Sequence, residues 1–212
     1  MWELVKIRQL AEVGRRSLTL TSTRRRANIL TSMSPIAPKP QHRIAFVVMG
    51  VSGSGKSTIG AALAEALGIG FVDGDGLHAA ASVAKMRAGI ALGDADRAPW
   101  LERIGAELAD ASQRPRGVGV ACSALRRAYR DRLREAAPGL GFVFLDGTSE
   151  IIALRLGGRS GHYMPGALLA SQLQTLERPA HDEGDVARFD IALAPDEIVR
   201  RASAWLRGRS ER

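Results

Sequence analysis

Apolar and polar positions alternate along this chain on two different periods. Ile44–Met49 reads Ile-Ala-Phe-Val-Val-Met, a continuous apolar run of strand length, as expected of a strand buried on both faces. After a glycine-rich loop, Ile59, Leu63, Ala66 and Leu67 recur at helical spacing, and Gly68 stops the helix. The sequence IGFVD (69–73) predicts a second short strand, and a mixture without clear period fills 79–93. APWLERIGAELADASQ predicts a helix with Asp96 as its N-cap and Pro99 in its first turn. GVGVACS reads as a third strand, LRRAYRDRLREAA as a basic helix and GFVFLD as a fourth strand. SEIIALRL and ALLASQLQTL read as helices around the glycine-rich GGRSGHYMPG; FDIAL predicts the last strand and PDEIVRRASAWL the closing helix. No internal repeat is evident.

Strands alternating with helices predict an α/β fold, a parallel sheet covered on both faces and joined by right-handed crossovers. The active site is then expected at the carboxyl ends of the strands, where the loops after the first three gather.

Composition changes this picture little. The 212 residues suffice for one well-buried domain with a tail to spare, and 45% hydrophobic and 25% charged residues are ordinary for a soluble protein. No apolar run approaches the ~20 residues that span a bilayer, so no membrane partner is expected. A single cysteine, Cys122, excludes an internal disulfide and fits a reducing, cytoplasmic compartment.

The formal charge of +8 suggests a nucleic-acid partner until it is located. Residues 1–43 hold nine Lys and Arg against Glu3 and Glu12, leaving 21 basic and 20 acidic residues beyond. The basicity belongs to a leader, and the body at 44–212 is nearly neutral, so no nucleic-acid partner is expected. The leader reads as a targeting segment, a basic arm, or translated upstream sequence with the start at Met33; the last is favoured.

Chemistry concentrates in four places. Gly50-Val51-Ser52-Gly53-Ser54-Gly55-Lys56-Ser57 matches G-x-x-x-x-G-K-[ST] between a predicted strand and a predicted helix, the context this phosphate-binding loop requires. Its glycines let backbone N–H groups face phosphate oxygens, and the helix start adds a positive end. Lys56 is placed for the β- and γ-phosphates and the Ser57 hydroxyl for Mg²⁺. The chain uses only four lysines, and Lys56 and Lys85 are the two beyond the leader. Where arginine is the habit, a lysine suggests that an ammonium is wanted.

After the second strand come Asp73-Gly74-Asp75-Gly76-Leu77-His78. Asp75 is placed to orient or deprotonate an acceptor hydroxyl, and Asp73 to hold Mg²⁺ through water; such a turn also forms for purely local reasons. After the third strand Ser123 and a run of arginines replace the second metal-binding Asp of many P-loop proteins. A hydroxyl and guanidiniums suit an anionic, hydroxyl-bearing acceptor, with Arg132 and Arg134 assigned to a solvated face. Arg155, Arg159 and His162 flank the glycine-rich stretch, where arginines on a flap can close over phosphates.

Taken in order, MGVSGSGKST, GDGLH, AKM with Gly89, LGDADRAPWL, CSALRRAYRDRLR, RSGHYMP and SQLQTLE resemble the gluconate kinases, a family of P-loop small-molecule kinases. The resemblance covers about Ile44 to Leu206. It implies ATP-dependent phosphorylation of D-gluconate to 6-phosphogluconate with Mg²⁺, usually by a homodimer. It also implies an adenylate-kinase-like, three-layer fold with a five-stranded parallel sheet, a substrate-binding flap and a lid at about 155–166. Carried over by position, Gly50–Thr58 form the nucleotide loop and Asp75 faces the acceptor hydroxyl. His78, Lys85, Ser123, Arg126 and Arg130 surround gluconate, and Arg155, Arg159 and His162 fall in the lid.

Ala79, Ser82, Ala91, Ser160 and Gly157-Gly158 depart from the family pattern. None touches the phosphate loop or Asp75, so activity is still expected. The alternatives are a kinase of another small hydroxy acid, such as shikimate, and a non-catalytic nucleotide-binding protein.

Overall fold

The computed structural model describes residues 43–110, 117–157 and 166–210. All of the leader 1–43 except Arg43 therefore lies outside the described residues, as do Arg159 and His162. Five parallel strands form one sheet in the order β2-β3-β1-β4-β5. They are β1 (Ile44–Met49), β2 (Gly70–Asp73), β3 (Gly117–Ala121), β4 (Gly141–Asp146) and β5 (Val186–Asp190). The described helices are α1 (Lys56–Leu67), α2 (Ala80–Arg87), α3 (Asp94–Asp110), α4 (Arg127–Ala136), α5 (Ser149–Gly157), α6 (Gly166–Thr175) and α7 (Pro195–Ser210).

The apolar run of β1 is continuous because each face of the strand meets its own core. Val47 and Met49 join Trp100, Leu101, Ile104 and Leu108 of α3 and Leu133 of α4. Phe46 and Val48 point the other way, to Ile59 and Leu63 of α1 and Ile198, Ala202 and Leu206 of α7. Side chains alternate along a strand with period two, so six residues feed two cores at once.

Gly119 of β3 makes room for this arrangement. A Cβ there would stand 2.2 Å from Phe46 Cζ. Gly119→Ala is therefore expected to lower stability by about 1–3 kcal/mol through overpacking, read as a shifted urea midpoint. An unchanged midpoint would mean that the Phe46 ring turns aside freely.

β1 pairs with β3 on one side and β4 on the other. The chain leaves β1 for the β2 edge, returns through β3, and then builds β4 and β5 across the other side. The loop after β1 thus opens at the topological switch point, where such sheets bind ligands.

Three local expectations need correcting. α3 begins at Asp94, so Asp96 is not its cap but a first-turn acid whose Oδ2 accepts the Gly93 N–H at 3.1 Å. Pro99 accordingly falls inside the helix rather than in its first turn. β5 is Val186–Asp190 and not Phe189–Leu193, because Phe142 pairs with Val186 and Asp146 with Asp190. Asp190 then ends the strand: its Oδ1 accepts the Ala192 N–H and its carbonyl the Leu193 N–H. Ile191 is apolar because it plugs the core there, fully buried. The aperiodic stretch 79–93 contains α2, preceded by a 3-10 turn at Gly74–Leu77.

Candidate active site

The loop between β1 and α1 turns on Gly50, Gly53 and Gly55, whose φ angles are 139°, 84° and 98°. A Cβ on Gly50 would lie 2.6 Å from the Leu145 carbonyl oxygen, so backbone conformation and space both call for glycine there. α1 starts with no side-chain cap and no acid in its first turn. Its first N–H groups and positive end are left to an anion. Ser57 and Thr58 are exposed in that first turn, and Lys56 Nζ donates to the Val51 carbonyl at 3.1 Å. The Ser54 hydroxyl is buried and has no hydrogen-bond partner among the described residues.

A cavity of about 360 Å³ adjoins this loop. Ser52 and Lys56 reach it from the loop after β1, Asp75 and His78 from beyond β2, and Ser123 from beyond β3. The three loops expected to gather do meet. Arg87, Arg97, Ser171 and Gln172 add polar groups to the wall, and Val83, Met86, Leu92 and Leu168 add apolar ones.

Asp75 sits in the 3-10 turn, its N–H donating to Asp73 Oδ1 at 3.1 Å. The turn is pinned from below. Trp100 Nε1 donates to the Gly74 carbonyl at 2.7 Å, and a Cβ on Gly74 would strike the Ala121 carbonyl oxygen at 2.2 Å. His78 stacks on Trp100 with ring centroids 4.3 Å apart. Burial pushes its pKa below 6.5, against the nearby Asp75 charge, which favours the neutral ring. Cys122 is fully buried and its thiol is pushed up to about 12 by desolvation, so it is no nucleophile.

Three expected acceptor contacts are not brought to the cavity wall. Lys85 is held by Asp96 at 2.6 Å, and Arg126 by Asp94 at 2.7 Å. Arg130 is wholly buried and forks onto Glu183, with Nε and Nη2 each 2.7 Å from a carboxylate oxygen. Each guanidinium or ammonium has found an acid of its own chain. Arg134 is likewise no solvated residue: it pairs with Asp131, Glu183 and Asp185. Arg155 donates to the Ile191 carbonyl at 2.6 Å, and its Nη1 lies 3.9 Å from where a Cβ on Gly55 would be. It therefore stands beside the phosphate loop.

Arg97 and Gln172 were not singled out in the sequence, although LGDADRAPWL and SQLQTLE contain them. Gln172 Oε1 accepts the Ser52 N–H at 2.6 Å, tying α6 to the phosphate loop. Arg97 is only 8% exposed. An arginine directly after two acids of a helix start, Asp94 and Asp96, was the available signal.

Mg²⁺ usually keeps several waters and binds through substrate phosphates plus one or two protein oxygens. The site fits that habit. Ser57 offers an exposed hydroxyl beside Lys56 in the first turn of α1.

Residues 46–179 match a family described as an AAA domain. The chain is 47% identical over 146 residues to the thermosensitive gluconokinase of Escherichia coli strain K12, covering 69% of this chain and 78% of that one. It is 48% identical over 154 residues to a gluconokinase of Gluconobacter oxydans, covering 73% and 86%. The crystal structure of a gluconokinase from Sinorhizobium meliloti superposes with a TM-score of 0.73 at 49% identity, covering 81% of this chain and 95% of that one. With the phosphate loop and the adjoining cavity in place, these likenesses lead to one conclusion: the chain belongs to the gluconokinase family.

Proposed function

We propose that this protein transfers the γ-phosphoryl group of ATP to the 6-hydroxyl of D-gluconate, giving ADP and 6-phospho-D-gluconate. The observation that carries the reading is one cavity lined by both Lys56 and Asp75, the phosphate-loop cation and the one acid on its wall among the described residues. A kinase needs its nucleotide loop and a proton acceptor to face the same space.

The loop amides and the start of α1 hold the phosphates. Lys56 moves from the Val51 carbonyl to the β/γ end of the nucleotide and offsets charge as the phosphoryl group departs. Asp75 orients the acceptor hydroxyl for in-line attack and accepts its proton. Ser123 and His78 offer hydrogen bonds to the acceptor's other hydroxyls. Arg155 adds positive charge beside the loop, and Arg159 and His162 complete the lid on this reading. Mg²⁺, when bound, would supply positive charge against the phosphates. The Ser57 hydroxyl would hold it, with Asp73 acting through water. The family resemblance also supports a cytoplasmic homodimer.

An ADP-release assay coupled to a reporter enzyme tests the reaction on gluconate, related sugar acids and shikimate. Gluconate is expected to turn over best, as the 47% and 48% identities to gluconokinases support. Absence of turnover with every sugar acid would sink the reading.

A further inference from the structure

We infer that Arg97 reads the carboxylate of the acceptor and sets its specificity for an acid over a neutral polyol. The inference rests on the sugar-acid kinase reading and assigns the end of the substrate remote from the reacting hydroxyl.

Among the described residues, the charges on the cavity wall are Lys56, Arg87 and Arg97 against Asp75. The space therefore favours an anion, and which cation grips it can be argued one by one. Lys56 belongs to the phosphate loop. Arg87 is exposed, so water and salt screen its charge. Arg97 is 8% exposed, and a buried guanidinium is costly unless it meets a counter-charge. Among the described residues it forms no ion pair, and the nearby Asp96 is already bonded to Lys85. Its guanidinium makes one hydrogen bond among the described residues, from Nε to the Leu92 carbonyl at 3.3 Å, and its central carbon lies 5.9 Å from the centre of the Tyr129 ring.

The other buried cation among the described residues, and a half-buried neighbour of it, have each been given an acid. Arg130 has Glu183, and Arg134 has Glu183 and Asp185. The neighbouring acids are engaged: Asp94 accepts from Arg126 and from the Tyr129 hydroxyl, and Asp96 from Lys85. Arg97 is thus a desolvated, pre-positioned fork with its Nε anchored on backbone. Its two terminal nitrogens match the geometry of a carboxylate. A bound acid supplies the counter-charge that the fold withholds.

The test compares D-gluconate with D-gluconamide, which keeps the 6-hydroxyl and the carbon chain but is neutral at C1. Wild-type kcat/KM is expected to fall about 100-fold on the amide, the scale of a lost charged hydrogen-bond pair. Arg97→Gln is expected to lose about 100-fold on gluconate, chiefly through KM, and to change the amide by no more than about threefold, so that the preference collapses. Arg97→Lys should retain part of it, because the charge remains without the fork.

Equal wild-type rates on acid and amide would overturn the inference without any variant, should Arg97→Gln fail to fold. An undiminished acid preference in a folded Arg97→Gln protein would overturn it too. Either result, with gluconate still turned over, would leave the proposed reaction standing. No turnover of gluconate by the wild type would remove both.

Discussion

Asp75→Asn is expected to lower kcat by about 10²–10⁴-fold while leaving the KM for ATP nearly unchanged. The substitution keeps the size of the side chain and one carbonyl oxygen, so it tests the carboxylate rather than the packing. The surrounding turn should hold its shape. Its supports are the Asp73 carboxylate on the Asp75 N–H, the Trp100 indole on the Gly74 carbonyl and the close approach of Gly74 to Ala121. None of them uses the Asp75 side chain. The nucleotide is held from the other wall, by the loop after β1 and the start of α1. The two substrates thus depend on different residues, and a defect in the acceptor's proton acceptor should appear in kcat. Steady-state kinetics with a separate binding measurement for an ATP analogue would check it. A wild-type kcat would remove Asp75 from the chemistry; equal losses in ATP binding and kcat would assign it to nucleotide binding instead.

What could be read in the sequence was what depends on neighbours in the chain. β1, the glycine loop and α1 form one local unit, because strand-forming residues, permitted positive φ angles and a helix start follow one another within 24 residues, 44–67. The gathering of three loops follows from topology once the strands are recognised. Boundaries set by pairing partners were not visible: β5 ends at Asp190 because β4 ends at Asp146, and nothing within FDIAL reveals that.

The fate of the arginines was the least legible feature. Helical spacing shows which face a guanidinium occupies but not which acid waits opposite. Arg130 meets Glu183 across 53 positions, and Arg126 meets Asp94 across 32. Those pairings turned expected acceptor contacts into ion pairs of the fold. Arg97, in a stretch noted only as a block, was left on the cavity wall.

Glu183→Gln should destabilise the protein by about 3–5 kcal/mol near neutral pH, because it leaves a buried cation without its counter-charge. Arg130 is 0% exposed and cannot turn to water. Glu183 takes both of its forked bonds, a third from Arg134 Nη2 at 2.8 Å and a fourth from the Ala180 N–H at 3.2 Å. These partners, Arg130 foremost, hold the Glu183 carboxyl well below 4.5, at about 2. A carboxylate depressed in the folded state contributes stability that is full above its unfolded value and fades as pH falls from 4.5 toward about 2. The gap between wild type and variant should therefore be widest near neutrality and narrow through that window, as read by thermal or urea melts at several pH values.

The same network reaches the cavity. Arg130 Nη1 also bonds the carbonyl of Ala124, whose φ of 43° makes it the one non-glycine residue with positive φ among those described. Its neighbour Ser123 lines the acceptor space. A backbone in that region costs roughly 1–3 kcal/mol and persists only where its surroundings impose it. Replacing both members, as in Arg130→Met with Glu183→Leu, removes the stranded charge and should recover much of the lost stability. It would not restore the bond to Ala124, so kcat/KM for gluconate should stay low while the melting temperature rises. Full recovery of both would confine the pair to a structural role, and a Glu183→Gln protein as stable as wild type at pH 7 would show that Arg130 is satisfied by carbonyls alone.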